Sequence, residues 1–156
     1  MTEAEKLARE WHNRVLVALT AHYDSARHYN RLNYWLGIPA LVLTTIVGTT
    51  VFANIDNTAS KSAKIFTGLL GIAAAILSAL QTFLKHSEKA EQCKAMAARY
   101  SSIGKELEVA LTDTAAIDKT FLEQIRVKLD QADKEAPSIP GWIRDAARNK
   151  YRKKQS

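Results

Sequence analysis

Four histidines, His12, His22, His28 and His86, and one cysteine, Cys93, are the side chains best suited to metal or nucleophilic chemistry. Their spacing does not serve it. His22 and His28 are six apart, whereas a zinc pair on a helix needs two ligands four apart on one face. No histidine stands at that spacing from another histidine or from the cysteine. There is no glycine-rich phosphate loop and no nucleophile elbow. A lone cysteine cannot close an intramolecular disulfide, and nothing else speaks for an oxidising compartment. These residues point away from an enzyme and from a bound metal or cofactor.

A second set of polar side chains is more telling because of where it stands. Thr44, Thr45, Thr49, Ser78 and Gln81 lie in stretches that lack charge: 24 uncharged residues separate Arg31 from Asp56, and 20 separate Lys64 from Lys85. At about 1.5 Å of rise per residue, some 20 apolar residues match a hydrocarbon layer about 30 Å thick. The pattern predicts an all-α chain with a two-span transmembrane hairpin, its spans at 34–53 and 65–84. A soluble buried hairpin is the alternative, but such helices usually keep a polar edge, which these lack. A signal peptide does not fit, because the 33 residues before the first span are mixed in charge.

Within the spans, Gly68, Gly71, Ala75, Ser78, Ala79 and Thr82 fall on one side of the second helix, and Gly37, Thr44 and Gly48 on one side of the first. Small residues let helices approach in lipid, and hydroxyls bond across. These stripes are expected either to hold the hairpin together or, in an oligomer, to line a pore whose wall includes Thr44, Thr45, Gly48, Thr49, Gly71, Ala75, Ser78 and Gln81. Gln81 is the foremost candidate, since a primary amide inside a span needs a partner.

Flanking basic residues orient the spans. Arg14, Arg27, Arg31, Lys85, Lys89, Lys94 and Arg99 stand on the terminal sides, against Lys61 and Lys64 in the 11-residue connection Asn54 to Lys64. Both termini are therefore expected in the cytoplasm. Residues 1–33 read as an amphipathic cytoplasmic helix with Leu7, Trp11, Val15, Ala18, Tyr23, Ala26 and Tyr29 on its apolar side, with a break or kink at Gly37 and Pro39. Residues 85–136 form the next cytoplasmic region. The second span is expected to run on unbroken into it, along a seam of Ala90, Cys93, Ala97, Tyr100, Gly104, Leu107 and Leu111. Thr112-Asp113-Thr114 then caps a helix carrying Ile117, Phe121, Leu122, Ile125, Leu129 and Ala132. The long cytoplasmic helices are expected to pack as a bundle.

Residues 137–156 hold a proline turn and a basic amphipathic tail. Trp142, Ile143, Ala146, Ala147 and Tyr151 can share a face, while Arg144, Arg148, Lys150, Arg152, Lys153 and Lys154 supply six positive charges against the single Asp145. Trp142, Arg144, Arg148, Lys150, Arg152 and Lys153 are the candidate membrane-surface residues, attracted to anionic lipid, with a solvated terminus as the alternative. The net charge of +6 resides almost wholly in this tail, so it does not imply a nucleic-acid-binding fold.

Several short motifs recur in order: Leu36-Gly37-Ile38-Pro39, Thr44-Thr45-Ile46-Val47-Gly48-Thr49, Leu80-Gln81-Thr82-Phe83-Leu84, Lys89-Ala90-Glu91 leading to Ala97-Ala98-Arg99-Tyr100, and Glu135-Ala136-Pro137-Ser138-Ile139-Pro140. In their order and spacing, over roughly residues 20 to 145, the chain resembles the SLATT family of two-span proteins. These are found beside bacterial second-messenger nucleotidyltransferases and nucleotide-sensing SLOG domains. Cys93 departs from the histidine expected in many members. The resemblance implies a homo-oligomeric effector in the bacterial inner membrane, triggered by a nucleotide second messenger or a sensor protein, that permeabilises the membrane in antiviral defence. The alternative is a membrane-anchored scaffold that recruits a partner without forming a pore.

Overall fold

The structure, a computed structural model, describes residues 2–53, 61–113 and 117–155. Its elements are all helical: α1 (Glu3–Ala53), α2 (Lys61–Leu84), α3 (His86–Thr112), α4 (Lys119–Glu135) and α5 (Gly141–Gln155). The chain divides into two compact units, Met1–His28 with Lys89–Ser156, and Tyr29–Glu88.

The first unit has a conventional core. Ala8 and Val15 of α1, Met96, Tyr100, Ile103, Leu107 and Ala110 of α3, Ile117, and Ile125, Leu129 and Ala132 of α4 form one buried cluster. The seam of α3 follows the heptad-like spacing of its sequence, with Ala90, Cys93, Ala97, Tyr100, Gly104 and Leu107 all buried. Gly104 allows close approach there: a Cβ would stand 3.3 Å from Val15 Cγ1, a tight contact from which the valine would have to yield a few tenths of an ångström. Along α1 the buried stripe is Ala8, Val15, Ala21, His22, Ser25 and Ala26. Leu7 and Tyr23, expected inside, face outward. The helix is wound so that the polar His22 and Ser25 take the inner positions, three apart on one face.

Three further expectations are corrected. The break anticipated at Gly37 and Pro39 does not occur, since α1 is helical through both. Proline costs one hydrogen bond, to the Trp35 carbonyl, without ending the helix. Conversely, the helix expected to run unbroken out of the second span is interrupted at Lys85, whose φ is 47°. A left-handed lysine costs roughly 1–2 kcal/mol. The next side chain, His86, is buried and stacked on Tyr29, with ring centroids 5.9 Å apart. Finally, α4 is capped by Asp118, which accepts from the Phe121 amide at 2.7 Å, rather than from Thr112-Asp113-Thr114. Thr114 lies outside the described residues, as do Asn54 to Ser60 of the connection.

The helix α5 is placed by α1. Trp142 meets His28 edge to face with centroids 5.2 Å apart, and Thr20 donates to the Tyr151 hydroxyl at 3.3 Å. As numbering rises along α5 it falls along α1, so the two run antiparallel, and Ile143 and Ala147 are buried. The apolar face expected to meet lipid is thus partly used inside the unit.

Candidate functional site

The second unit inverts the first. Among its described residues only Ala40, Ala74 and His86 are buried. Large apolar side chains point outward instead, including Trp35, Leu41, Ile65, Leu69, Ile72 and Phe83, the last 83% exposed. Two helical stretches are long and apolar enough to cross a membrane, and just 6% of each apolar window is buried. A soluble core helix of that hydropathy would be mostly covered.

Its polar side chains divide into two kinds. The threonines satisfy themselves: Thr44 Oγ1 donates to the carbonyls of Ala40 and Leu41, Thr45 to Leu41, Thr49 to Thr45 and Ile46, Thr50 to Ile46, and Thr82 to Ser78, all at 2.7–3.0 Å. A hydroxyl bonded back to its own helix needs no second helix. Gln81 differs. Its Nε2 donates to Asn33 Oδ1 at 3.5 Å, a long bond that leaves most of the amide's capacity unused. A Cβ at Gly37 would lie 2.9 Å from the same nitrogen, so a larger residue there would have to turn the flexible amide aside.

Around this amide is an open groove of about 420 Å³, lined by Asn33, Tyr34, Gly37, Ile38, Ala40, Leu41, Thr44, Ser78 and Gln81. Of the residues singled out from sequence, it gathers Gly37, Thr44, Ser78 and Gln81. Gly71 contributes elsewhere: a Cβ on it would touch Val47 Cγ1 at 3.9 Å. Thr45, Thr49 and Ala75 are exposed, and a Cβ on Gly48 would meet nothing within 4 Å. The small-residue stripe of α2 is offset from the observed contact, since Gly68, Ala75, Ala79 and Thr82 are exposed whereas Ala74 is buried. Asn33 was not singled out; a polar residue just before an apolar run reads as a boundary, and only the packing against Gln81 gives it a role.

The first unit holds a different polar cluster that sequence reasoning missed. Asp133 accepts from the Tyr100 hydroxyl and from Arg14 Nη2, each at 2.6 Å, joining α1, α3 and α4. His22 stacks on Tyr100 at 5.4 Å. Burial, with the nearby Arg144 charge, lowers His22 to about 4 against the weaker opposing pull of Asp133, so its ring is neutral. Among the described residues, His22 Nδ1 and Ser25 Oγ are buried without hydrogen-bond partners. Burial also raises the Cys93 thiol, which makes it a packing residue rather than a nucleophile. The basic residues of the tail, Arg144, Arg148, Lys150, Arg152 and Lys153, are all exposed, as is Trp142.

These features define an all-helical protein with two helices able to cross a membrane. The chain belongs to the family described as Protein of unknown function (DUF4231), whose model matches residues 14–102. That match covers α2, most of α1 and part of α3, and ends before α4 and α5. No curated protein and no solved structure matches the chain.

Proposed function

We propose that this is a two-span membrane protein that assembles into an oligomeric effector and permeabilises its membrane, within a bacterial nucleotide-signalled defence system. One observation carries the membrane part: the apolar side chains of α2 and of the second half of α1 are turned outward rather than into a core. Contacts at Gly37 with Gln81 and at Val47 with Gly71 support an antiparallel hairpin, because numbering rises along one helix as it falls along the other. The excess of Lys and Arg on the terminal sides favours both termini in the cytoplasm of the inner membrane.

Assembly is supported by the groove at Gln81. An amide with unused donors and acceptors in lipid is stabilised by hydrogen bonds from another span, contributing about 0.6–2 kcal/mol each. Copies joined through that groove bring Thr44, Ser78 and Gln81 together, and two helices alone cannot enclose water. The trigger, a nucleotide or a sensor protein, comes from the resemblance to SLATT proteins.

A second reading has its own support. Since Thr44, Thr45, Thr49 and Thr82 bond their own helices, those hydroxyls call for no second copy, as in a tether, and the first unit would then be a module that recruits a partner. One experiment separates the two. Under activating conditions, Gln81→Leu and Thr45→Val are each compared with the unmodified protein for propidium entry and loss of membrane potential. Permeabilisation that Gln81→Leu abolishes supports the effector; intact membranes with the unmodified protein contradict it.

A further inference from the structure

The helix α5 was expected to lie on a membrane by inserting an apolar face, and the structure removes that route. Ile143 and Ala147 are buried within the first unit, so what faces outward is a basic surface with one large apolar side chain, Trp142, 62% exposed. Asp145 is the helix's one acidic residue. Among the described residues neither Arg144 nor Arg148 has an ion-pair partner, whereas Arg14, Arg99, Arg126 and Lys128 are all paired with carboxylates. The start of α5 therefore keeps a net positive charge, with neither guanidinium held in an ion pair among the described residues.

Its location along the chain names the partner. Trp142 is set against His28, and His28 precedes Tyr34, where the apolar part of α1 opens, by six residues. Six residues reach at most about 20 Å even fully extended. Tyr151, at the other end of α5, meets Thr20, eight residues further from the apolar stretch. The two ends of the helix thus touch α1 at different distances along the chain from the start of its apolar part.

We propose that the first two turns of α5, through Trp142, Arg144 and Arg148, bind anionic phospholipid headgroups beside that entry point, and that Arg152 and Lys153 do not. The indole suits the headgroup level, and the two guanidiniums complement lipid phosphates. Binding is electrostatic with a single aromatic wedge, so it falls as salt screens the surface. The inference rests on the reading that α1 and α2 cross the membrane.

The test uses the full chain in nanodiscs made with brominated lipid, of phosphatidylcholine alone or mixed with phosphatidylglycerol. Trp11→Phe with Trp35→Phe leaves Trp142 as the sole indole; Trp11→Phe with Trp142→Phe leaves Trp35. Expected is Trp142 quenching that needs phosphatidylglycerol, is lost in high salt, and survives Arg152→Gln with Lys153→Gln. Arg144→Gln with Arg148→Gln should lower the docked-to-free ratio about thirtyfold, at roughly a factor of five per charge. Equal quenching in both lipids, equal losses for the two pairs of substitutions, or a signal displaced by an oligonucleotide and indifferent to phosphatidylglycerol would overturn it. Should Trp35 also escape quenching, it is the membrane reading that has failed; quenched Trp35 with silent Trp142 defeats only the present proposal.

Discussion

The two units of this chain solve opposite problems with the same secondary structure. In one, α3 and α4 turn Leu107, Ile125 and Leu129 inward and ring themselves with charge; in the other, Leu41, Leu69 and Phe83 point out, and alanines fill the contact. The hydrophobic effect stabilises the first in water, at about 25 cal/mol for each Å² of apolar surface covered. It does nothing for helix contact in lipid, where close approach and a shared amide are what remain. The difference teaches that composition does not separate the units; the direction of the side chains does.

The contrast can be broken by truncation. Leu107→Ala empties a fully buried site and should lower stability by about 2–5 kcal/mol, whereas Leu69→Ala, exposed, should leave the thermal midpoint in detergent almost unchanged. Circular dichroism melts of both variants check this, and equal losses would erase the distinction.

Next in size is the response to acid. Folded His22 stays neutral down to about 4, while in the unfolded chain it takes a proton near its ordinary 6.5. The unfolded state therefore binds more protons between those values, so stability is full above pH 6.5 and falls as the pH drops toward 4. Melts across that window should show a midpoint lower by several degrees at the acid end, and His22→Phe should flatten the slope.

Smaller still is Tyr100→Phe, which removes the hydroxyl donated to Asp133 but leaves Arg14 to pair with it; a loss of about 1 kcal/mol is expected by denaturant titration. Least of all is Thr45→Val in the second unit. Its hydroxyl bonds the Leu41 carbonyl of its own helix, so unfolding in detergent should be indistinguishable from that of the unmodified protein.

Much of the architecture was legible because apolar side chains report their environment by period. The seam from Ala90 to Leu107, the apolar face of α4 and the two uncharged stretches follow directly from spacing. The illegible parts are those where a polar group does a core residue's work. His22 and Ser25 displaced Leu7 and Tyr23 from the expected inner face of α1, since periodicity weighs residue type and cannot foresee a neutral imidazole stacked on Tyr100. Lys85 gave no warning of a helix break, because lysine is a good helix former and its type does not favour a left-handed conformation. At the site, Gln81 stood out by chemistry and Gly37 by its place on a small-residue stripe; Asn33 needed three dimensions. The threonines looked like a pore wall by composition, yet their donors turn back on their own helices.

The central claim is that the outward apolar face of the second unit is covered by lipid. Single cysteines at Leu41, Leu69 and Ile76 in a Cys93→Ala background, with Val109→Cys and Val127→Cys as exposed apolar positions of the first unit, test it by maleimide labelling in native membranes. The account predicts that the first three stay unlabelled until detergent unfolds the protein while the last two label at once. Labelling of Leu41→Cys and Leu69→Cys in intact membranes as fast as Val109→Cys would contradict it.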